Sequence, residues 1–416
     1  MSRVMPTLEP PSEMRWYMSG VAAYFFAGGI QSVVFPWLLV FVLDESSERV
    51  GIAQMFSMLP LMLLAMFGGA KADRSELRLH LLRLQLIAAA IPLLLMTILL
   101  AELLTYEVML AYAVILSALG AFTMPARDSL LTRVLETQTG GDIQKAVAAS
   151  TSAQFMSQVA GLMLGGAALV TGAPALLACQ SLSLLGAAYT TYHLSPAPAA
   201  HTSARPSGMM ARLDEIREGL VLVWQNDRIR PVLIIMFLGG VLFIGVFMVL
   251  FPILVRDVYG GDSLEVALIN VCFFGGIGLS SWVQMRLPSI KRQGRAIMLS
   301  FFSGSTVMVC LHFEPPIWAV FLLVMGWGLG SGVSMSQSRA IVQAAAGTTH
   351  RARILAAFQL GMMGGGPLGA FGAGYAIEWL GPLNAALIPA SCMVFVWSGM
   401  FFFSRLWQIE ATPLQN

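Results

Sequence analysis

The segment GGAKADRSELRLHLLRLQ at residues 68–85 concentrates charged side chains between two long apolar runs, SMLPLMLLAMF and LIAAAIPLLLMTILLA. It contains four bases and two acids, Lys71, Arg74, Arg78, Arg83, Asp73 and Glu76. A carboxylate accepts hydrogen bonds from the free amides at the N-terminus of a neighbouring helix, and guanidinium groups pair with carboxylates. The segment therefore predicts an ionic contact between helices at the edge of an apolar layer.

No residues have the spacing that catalysis or metal binding needs. The five histidines, His80, His193, His201, His312 and His350, are not spaced for a shared metal, and no HExxH motif occurs. The four cysteines, Cys179, Cys272, Cys310 and Cys392, stand singly within apolar runs, so no disulfide is expected. No Walker-type glycine loop followed by lysine is present, which excludes an ATP-driven pump in this chain. We expect no enzyme, no cofactor and no bound metal.

The composition indicates lipid as the solvent of this chain. Of 416 residues, 57% are hydrophobic and 11% are charged, whereas a soluble domain is about 25% charged. A water-soluble core of ordinary size cannot hide so much apolar surface. The net charge is +2 and no dense basic run occurs, so nucleic acid is not an expected partner.

Twelve segments are apolar and long enough to cross a bilayer as helices, which takes about 20 residues each. They lie near 16–43, 51–70, 83–101, 107–127, 143–170, 175–193, 229–255, 264–286, 295–312, 316–338, 352–377 and 383–404. The sixth and seventh are separated by a segment that opens with the linker-like LSPAPAAHTSARPSG. We predict an N-terminal six-helix bundle at 1–193, a linker at 194–228 and a C-terminal six-helix bundle at 229–416.

Part of the linker has the periodicity of an amphipathic helix. Its apolar residues fall on one face, at Met209, Leu213, Ile216, Leu220 and Val223. Such a helix lies along a membrane surface. Two roles remain open for it, a simple connector and a regulatory element.

The distribution of basic residues predicts the orientation in the membrane. With the N-terminus in the cytoplasm, only Arg49 and Arg256 of the 24 Lys and Arg residues fall outside. Cytoplasmic loops carry the excess of Lys and Arg in membrane proteins. We therefore expect both termini in the cytoplasm and an integral protein of the plasma membrane, with the bacterial inner membrane as the favoured location.

The two halves of the chain repeat each other. In the fourth and tenth spans, ALGAFTMPARDSLL and GLGSGVSMSQSRAIV align Arg127 with Arg339. Small residues recur every four positions in the fifth and eleventh spans, with a displacement of 208 residues: Ala149, Ala153, Ser157, Gly161 and Gly165, then Ala357, Gly361, Gly365, Gly369 and Ala373. Such strips let helices approach closely in lipid, and the paired strips predict a six-plus-six duplication. Static packing and a moving interface both remain open.

The charged loop resembles that of the major facilitator superfamily, whose second and third spans are joined by Gly, three residues, Asp, Arg and further bases. Gly69, Asp73, Arg74 and Arg78 match this pattern in order, whereas Glu76 replaces the second glycine. The resemblance implies an all-α membrane protein with twelve transmembrane helices in two pseudo-symmetric six-helix bundles. It also implies secondary transport by alternating access, without a cofactor.

The charges of this loop fit a conformational latch, with a simple positive-inside anchor as the alternative. The resemblance places Asp73 against the N-terminus of the eleventh span, near Ala352 and Arg353, and Gly69 where two helices approach. Arg74 or Arg78 is then expected to pair with Asp128, which follows Arg127 at the end of the fourth span. These contacts form only when the cytoplasmic side is closed, so they favour one of two states.

A second resemblance is to the bacterial drug and siderophore exporters, which include enterobactin exporters and macrolide efflux pumps. It rests on MPARDSLLTRV, on AVAASTSAQFMSQVAGLMLGG and on the EGL after the linker. Gly161, Gly165 and Gly166 match the antiporter pattern of the fifth span, except that Leu162 replaces its proline. The glycines expected to pack helices are therefore Gly161, Gly165, Gly166, Gly361, Gly365 and Gly369. The resemblance implies export by proton antiport.

No carboxylate lies near the centre of a predicted span. The candidate proton sites nearest to the spans are Asp44, Glu107 and Glu378, each at a span end. An interfacial loop acid is the alternative for each of them. A carboxylate at membrane depth is what proton-driven transporters often use, because burial raises its pKa.

Uncharged polar residues at membrane depth are candidates for lining a substrate cavity. Together with two aromatic residues they are Gln31, Phe35, Gln54, Gln154, Gln158, Asn270, Phe274, Gln337 and Gln359. Amides would orient a small amphipathic ligand by hydrogen bonds, and the 26 methionines suit an adaptable wall. The alternative is that each amide only satisfies a neighbouring helix.

Three functions remain from the sequence. The first is an exporter of a small amphipathic compound, siderophore or drug-like, that acts as a monomer with the lipid bilayer as its environment. The second is an importer of a small neutral metabolite. The third is a non-transporting scaffold or sensor on a transporter fold.

Overall fold

The computed structural model describes residues 13–73, 75–136, 143–196, 217–218, 220–287, 290–345 and 351–410. Within these residues the secondary structure is helical, and no strand occurs. The fold is that of two six-helix bundles.

The N-terminal bundle contains six long helices. Helix α1 passes into a π-helical turn at Leu38–Val42, and a short helix at Ala168–Thr171 precedes α6. The bounds are α1 Glu13–Trp37, α2 Ser47–Asp73, α3 Leu77–Leu100, α4 Tyr106–Glu136, α5 Ile143–Gly165 and α6 Ala173–Tyr192.

The C-terminal bundle repeats this plan. Helix α7 is interrupted by a π-helical turn at Gly240–Ile244, and a short helix at Pro382–Ala385 precedes α12. The bounds are α7 Ile229–Asp257, α8 Ser263–Arg286, α9 Gln293–Leu311, α10 Ile317–Ala345, α11 Arg351–Leu380 and α12 Leu387–Phe403. A 3₁₀ turn at Leu406–Gln408 follows.

Nine of these helices are long and apolar enough to cross a membrane, within the described residues. Helices α5, α6 and α11 complete the two bundles. Several helices run beyond the apolar segments predicted for them: α3 begins at Leu77 rather than near 83, and α4 continues to Glu136 rather than 127. Helical backbone does not need an apolar side chain at every position, so charged residues continue these helices past the lipid.

Successive helices run in opposite directions. The start of α1, the end of α6, the start of α7 and the residues after α12 therefore lie at the same end of the molecule. There the Ser195 amide donates to Glu13 at 3.2 Å, and Arg228 Nη2 donates to the Glu410 carbonyl at 2.6 Å. We call this the terminal end, and the opposite end the far end.

The same helix pairs pack in both halves: α1 on α5 and α2 on α4 correspond to α7 on α11 and α8 on α10. A Cβ atom on Gly29 would lie 2.9 Å from the Gly161 carbonyl carbon. Likewise, a Cβ atom on Gly240 would lie 3.1 Å from Gly365 Cα. Backbone contact at these paired positions makes the two bundles pseudo-symmetric copies.

This pairing corrects the register of the repeat. Gly161 packs on the Phe26 carbonyl and Gly365 on the Phe237 carbonyl, so Gly161 corresponds to Gly365. The predicted displacement of 208 residues instead matched Gly161 with Gly369. That match is wrong by four residues, one repeat of the strip. A strip with a small residue every fourth position looks the same after a shift of four, so sequence alone does not fix the register.

The predicted boundaries of the linker remain a prediction, because residues 197–216 lie outside the described part of the chain. Residues 220–225 are helical. Within them Val223 is buried against Ile229 and its neighbours, whereas Leu220 is exposed. The predicted residues Met209, Leu213 and Ile216 are not described.

Candidate functional site

Arg256 joins the two bundles at the far end. Its Nη1 donates to the carbonyl oxygen of Val40 at 2.9 Å and to Asp44 Oδ1 at 2.8 Å. Asp257 Oδ1 accepts from Arg256 Nε at 2.6 Å and fixes the guanidinium from its own helix. Arg256 thus fastens the end of α7 to the end of α1.

Helices α1 and α8 meet beside this contact. Trp37 Nε1 donates to Asp262 Oδ1 at 2.5 Å. Asp262 is the N-cap of α8 and forms a capping box with Glu265. The indole nitrogen of Trp37 thus serves the contact between the bundles. A buried indole N–H requires such a partner.

Helices α2 and α11 run antiparallel across the interface between the bundles. Glu378 Oε2, near the end of α11, accepts a hydrogen bond from the Ser47 amide at the start of α2, at 3.0 Å. One turn further along α2, a Cβ atom on Gly51 would lie 2.7 Å from Gly374 Cα. The absence of side chains at Gly51 and Gly374 therefore allows the two backbones to touch.

Helices α5 and α8 form the fourth contact at this end. Ser263 Oγ donates to the Gly166 carbonyl at 3.1 Å and accepts from the Leu169 amide at 3.2 Å. A Cβ atom on Gly166 would lie 2.7 Å from Ala267 Cβ. We call the contacts of Arg256, Asp262, Glu378 and Ser263 the far-end interface.

A cavity of about 340 Å³ lies mainly within the N-terminal bundle. We call it the amide cavity, because four glutamines line it: Gln31, Gln54, Gln158 and Gln180. Its other lining residues include Phe35, Met58 and Met248, and none of the lining residues that the structure describes is Asp, Glu, Lys, Arg or His. The cavity is therefore polar but uncharged.

A second cavity, of about 210 Å³, lies within the C-terminal bundle. We call it the aromatic cavity, after the lining residues Phe243, Phe247, Phe273, Phe274, Phe301 and Trp327. The Phe273 and Trp327 rings meet edge to face, with centroids 5.1 Å apart. Met248 lines both cavities, so they adjoin where the bundles meet.

Five of the nine predicted cavity residues line one of these cavities: the amide cavity contains Gln31, Phe35, Gln54 and Gln158, and the aromatic cavity contains Phe274. The other four do not. Gln337 Nε2 donates to Gln284 Oε1 at 2.9 Å, and Asn270 Nδ2 donates to the Val266 carbonyl of its own helix. Gln154 is partly buried and Gln359 is exposed, and neither is among the residues that line the two cavities.

The sequence reasoning missed Gln180, Tyr112 and Trp327. Gln180 is a single amide in the apolar run ALLACQSLSLLGAAY, so the rule that selected Gln31 would have found it. Tyr112 and Trp327 carry no such signal, because aromatic residues are common in apolar helices. Their positions depend on how the helices pack.

The predicted latch residues are only partly described. Asp73 ends α2, but its side chain, Arg74 and the side chains of residues 351–353 lie outside the described part. Arg78 Nη1 donates to the Leu194 carbonyl at 3.1 Å rather than to Asp128. Glu76 caps α3 by accepting from the amides of Arg78 and Leu79, which gives this departure from the family pattern a structural role.

Asp128 pairs with its neighbour Arg127, with Asp128 Oδ1 3.0 Å from Arg127 Nη2. The Arg127 guanidinium is buried over the Phe25 ring, 4.6 Å from its centroid. The close approach expected of Gly69 belongs instead to Gly68, where a Cβ atom would overlap the Ala121 carbonyl. Among the described residues, a Cβ atom on Gly69 would have only Pro125 Cβ within 4 Å, at 3.9 Å.

The six predicted packing glycines all lie at close contacts between helices. A Cβ atom would overlap Leu233 at Gly361, the Phe237 carbonyl at Gly365 and the Val241 carbonyl at Gly369. In the other half it would overlap the Phe26 carbonyl at Gly161, and at Gly165 it would lie 2.9 Å from Val33 Cβ. Gly166 contacts α8, as described above.

The candidate proton sites all lie at the far end. The Asp44 side chain is 87% exposed beside Arg256, and Glu107 is exposed with Oε1 3.7 Å from Arg49 Nη2. Glu378 is also exposed. None of the three is a buried carboxylate, and Asp44 and Glu378 belong to the far-end interface.

Solved structures with this fold are transporters of the major facilitator superfamily. The nucleoside transporter NupG covers 95% of this chain and 100% of its own, with a TM-score of 0.74 and 14% identity. The match to the human organic anion transporter MFSD10 (TETRAN) covers 94% of this chain and 99% of that transporter, with a TM-score of 0.63 and 14% identity. A bacterial homolog of the human lysosomal transporter Spinster, solved inward-facing and unoccupied, covers 96% and 97%, with a TM-score of 0.65 and 12% identity.

At such identities these structures establish the fold alone. No curated protein matches the chain in sequence. A family model described as transmembrane secretion effector, within the major facilitator superfamily, matches residues 14–416. The chain therefore belongs to this transmembrane secretion effector family of non-enzymatic membrane transporters.

Proposed function

We propose that this transporter exports a small amphipathic compound, siderophore-like or drug-like, in exchange for protons. The observation that carries the proposal is the pair of adjoining cavities on either side of Met248, one lined by amides and the other by aromatic rings. A cargo with a polar part and an apolar part has complementary surfaces in both. The described part of the amide cavity has no charged lining residue, which argues against a small, permanently charged cargo.

Alternating access requires an interface that closes at one end while the other opens. The far-end interface supplies one closed state. In it, a carboxylate near the end of α11, Glu378, caps the start of α2. Asp73 ends α2, and α11 begins at Arg351, so the same antiparallel pair supports the reverse arrangement at the terminal end, with a carboxylate of α2 available to the start of α11.

We propose that Asp73 caps α11 when the terminal end is closed, assisted by Gly69, Arg74 and Arg78. In that state the exposed Asp128 carboxylate, now paired with Arg127, also accepts from an arginine of the loop. One carboxylate cap would thus be present in each state, and each would be broken when the bundles rock. A helix N-terminus favours a carboxylate by about 0.3–1 kcal/mol at an exposed site, which suits a contact that must be released in every cycle.

The distribution of bases in the sequence supports an orientation. We expect the terminal end to carry nearly all Lys and Arg residues, so we place it in the cytoplasm of a bacterial cell, with the far end outside. The far-end interface would then close the outer side, with the cavities accessible from the cytoplasm in this state.

For proton coupling we propose Asp44, Glu107 or Glu378. Asp44 and Glu378 belong to the far-end interface, so protonation of either would weaken the contacts that close the outer side. Protons arriving from outside would thereby favour opening to the outside, which is the direction that an antiporter needs.

An importer of a small neutral metabolite is the second candidate. The uncharged amide cavity and the fold shared with a nucleoside transporter favour it. A scaffold or sensor without transport is the third candidate.

Transport into proteoliposomes distinguishes the three. Full-length protein is reconstituted with an imposed pH gradient, and uptake of erythromycin, enterobactin and uridine is followed with and without a proton uncoupler. Uncoupler-sensitive movement of erythromycin or enterobactin against its gradient supports the exporter. Movement of uridine alone supports the importer, and no movement of any of them supports the scaffold.

A further inference from the structure

A chain of hydrogen bonds in the N-terminal bundle has a fixed direction. Tyr112 Oη donates to Gln180 Oε1 at 3.1 Å, and Gln180 Nε2 donates to Gln31 Oε1 at 3.4 Å. Tyr112 is buried, and Gln180 is the only acceptor that its hydroxyl has among the described residues. Reversing both amides would leave the buried Tyr112 proton without an acceptor, which is costly.

The direction of this chain decides what Gln31 offers to the amide cavity. Because Gln31 Oε1 accepts from Gln180, its Nε2 remains to donate, and Gln31 lines the cavity. Gln158 also lines the cavity and makes no side-chain hydrogen bond with the described residues. Two amide groups are thus presented to a ligand, and Gln31 is held as a donor.

Four other polar groups of the cavity already use a donor within the protein, whereas the Tyr24 hydroxyl and the Gln158 amide, which also line it, make no hydrogen bond with the described residues. Ser32 Oγ donates to the Gly28 carbonyl at 2.9 Å, and Thr123 Oγ1 donates to the Leu119 carbonyl at 2.8 Å. Ser57 Oγ donates to the Gln54 carbonyl, and Gln54 Nε2 donates to the Met248 carbonyl across the interface. Gln31 is therefore the donor whose orientation the protein fixes toward the cavity.

We propose that the amide cavity is a subsite for an uncharged hydrogen-bond acceptor on the cargo, a carbonyl, ester or ether oxygen, received by the Gln31 side-chain N–H. This inference rests on the proposed transport function and defines the polar part of its cargo. A carboxylate is disfavoured, because no cation is found among the described residues that line the cavity. The apolar remainder of the cargo occupies the aromatic cavity beyond Met248.

Tyr112 acts as a positioning residue in this subsite. It does not line the cavity, but its hydroxyl proton sets the orientation of Gln180 and, through Gln180, that of Gln31. Without that proton, both amides are free to turn over and Gln31 can present its oxygen instead.

The test compares probes of nearly the same shape. Phenyl benzoate carries an ester acceptor, trans-stilbene carries none, and 4-stilbenecarboxylate carries a negative charge. Binding of each to full-length protein in nanodiscs is measured by calorimetry or fluorescence. We expect phenyl benzoate to bind about five- to tenfold more tightly than trans-stilbene, the range expected for one neutral hydrogen bond, and 4-stilbenecarboxylate to bind more weakly than phenyl benzoate.

The variants assign the preference to Gln31. Gln31→Leu removes the donor and Gln31→Glu replaces it with an acceptor of the same shape, so both should abolish the preference for the ester. Tyr112→Phe should reduce the preference while leaving the affinity for trans-stilbene unchanged. Gln284→Leu breaks the matched amide pair with Gln337, which lines neither cavity, and should leave the preference intact. Size-exclusion profiles confirm that each variant is folded.

Equal binding of phenyl benzoate and trans-stilbene, binding of neither, tighter binding of the carboxylate, or an unchanged preference in both Gln31 variants would overturn the proposal. Failure of transport is distinguishable from failure of the subsite. A preference for the ester without flux in proteoliposomes would contradict the proposed transport but support the subsite. Flux without that preference would support transport and contradict the subsite.

Discussion

Glu378 and Ser47 are far apart in sequence but share one hydrogen bond at the far end, from the Ser47 amide to Glu378 Oε2 at 3.0 Å. The bond joins the end of α11 to the start of α2, which belong to different bundles. It combines a helix N-terminus with a carboxylate, so its strength depends on charge as well as on the acceptor. Such a contact is sensitive to small changes that leave the helices themselves intact.

Glu378→Ala should therefore shift the protein away from the state that is closed at the far end. Loss of an N-cap costs about 1 kcal/mol, which corresponds to a change of about fivefold in the ratio of the two states. Glu378→Gln keeps an acceptor without the charge, so its effect should be smaller. Spin labels at the exposed Leu103 and Trp318, on different bundles at the far end, report the distance by pulsed electron resonance.

The same labels test the proposed latch at the other end. Asp73→Asn should shift the population in the opposite direction from Glu378→Ala and should lower transport at equal expression. Glu314→Gln, which changes an exposed acid at the far end, serves as the control. A shift in the same direction for both variants, or an unchanged flux in Asp73→Asn, would contradict the pair of caps.

Arg256 and Arg49 offer a matched comparison, because both are basic residues at the far end. Arg256 reaches Val40 and Asp44 across the interface, whereas Arg49 binds Glu45 within its own bundle at 2.7 Å. Arg256→Gln should open the far end and Arg49→Gln should not.

A cysteine placed at Ser57, in the amide cavity, measures this opening in a chain whose four native cysteines are replaced by alanine. Its reaction with a membrane-impermeant maleimide, added from the far side, should accelerate several-fold in Arg256→Gln. Equal acceleration in Arg49→Gln would mean that general loss of charge, rather than the contact between bundles, causes the effect.

Glycines on α11 provide another matched pair. A Cβ atom at Gly369 would overlap the Val241 carbonyl of α7, whereas at Gly372 nothing lies within 4 Å. Gly369→Leu should abolish transport or prevent stable folding, since overpacking typically costs about 1–3 kcal/mol even without a backbone overlap. Gly372→Leu should retain both thermal stability and flux.

Gly165→Leu tests the equivalent strip of α5, where the new side chain would meet Val33 of α1. Thermal unfolding monitored by intrinsic fluorescence separates loss of folding from loss of transport. Normal kinetics in Gly369→Leu and Gly165→Leu would show that the close helix contacts have no role in the transport cycle.

The three far-end acids are tested for coupling one at a time, as Asp44→Asn, Glu107→Gln and Glu378→Gln. We expect one of them to abolish cargo movement driven by a pH gradient while leaving exchange of labelled for unlabelled cargo intact, because exchange needs no net proton transfer. Proteoliposome flux measures both quantities. If all three keep pH-driven movement, coupling uses another residue or another ion.

Composition and periodicity were enough to predict the membrane, the helical class and the duplication. In lipid, every backbone polar group must be hydrogen-bonded within the protein, which long helices achieve. A chain with 57% hydrophobic residues is therefore expected to cross the membrane as apolar helices. The close packing of Gly161, Gly165, Gly365 and Gly369 was also predictable, because small residues at a spacing of four define a strip on any helix. Each of these properties depends on a short stretch of sequence, so it can be predicted without knowing how the helices pack.

The cavities were less predictable. Gln31 and Gln337 look alike in sequence, since each is an amide in an apolar run, yet Gln31 lines the amide cavity and Gln337 pairs with Gln284. Which of the two occurs depends on the rotation of each helix about its axis and on its neighbours, which no local pattern encodes.

The sequence by itself determined that this protein crosses the membrane as a duplicated set of helices, because the hydrophobic effect acts on the composition of each segment. Only the tertiary structure decided which end of the bundles is joined, that Glu378 caps α2 and that Tyr112 orients Gln31. Hydrogen bonds are directional and short, so these contacts exist only once residues distant in sequence have been brought within about 3 Å of each other.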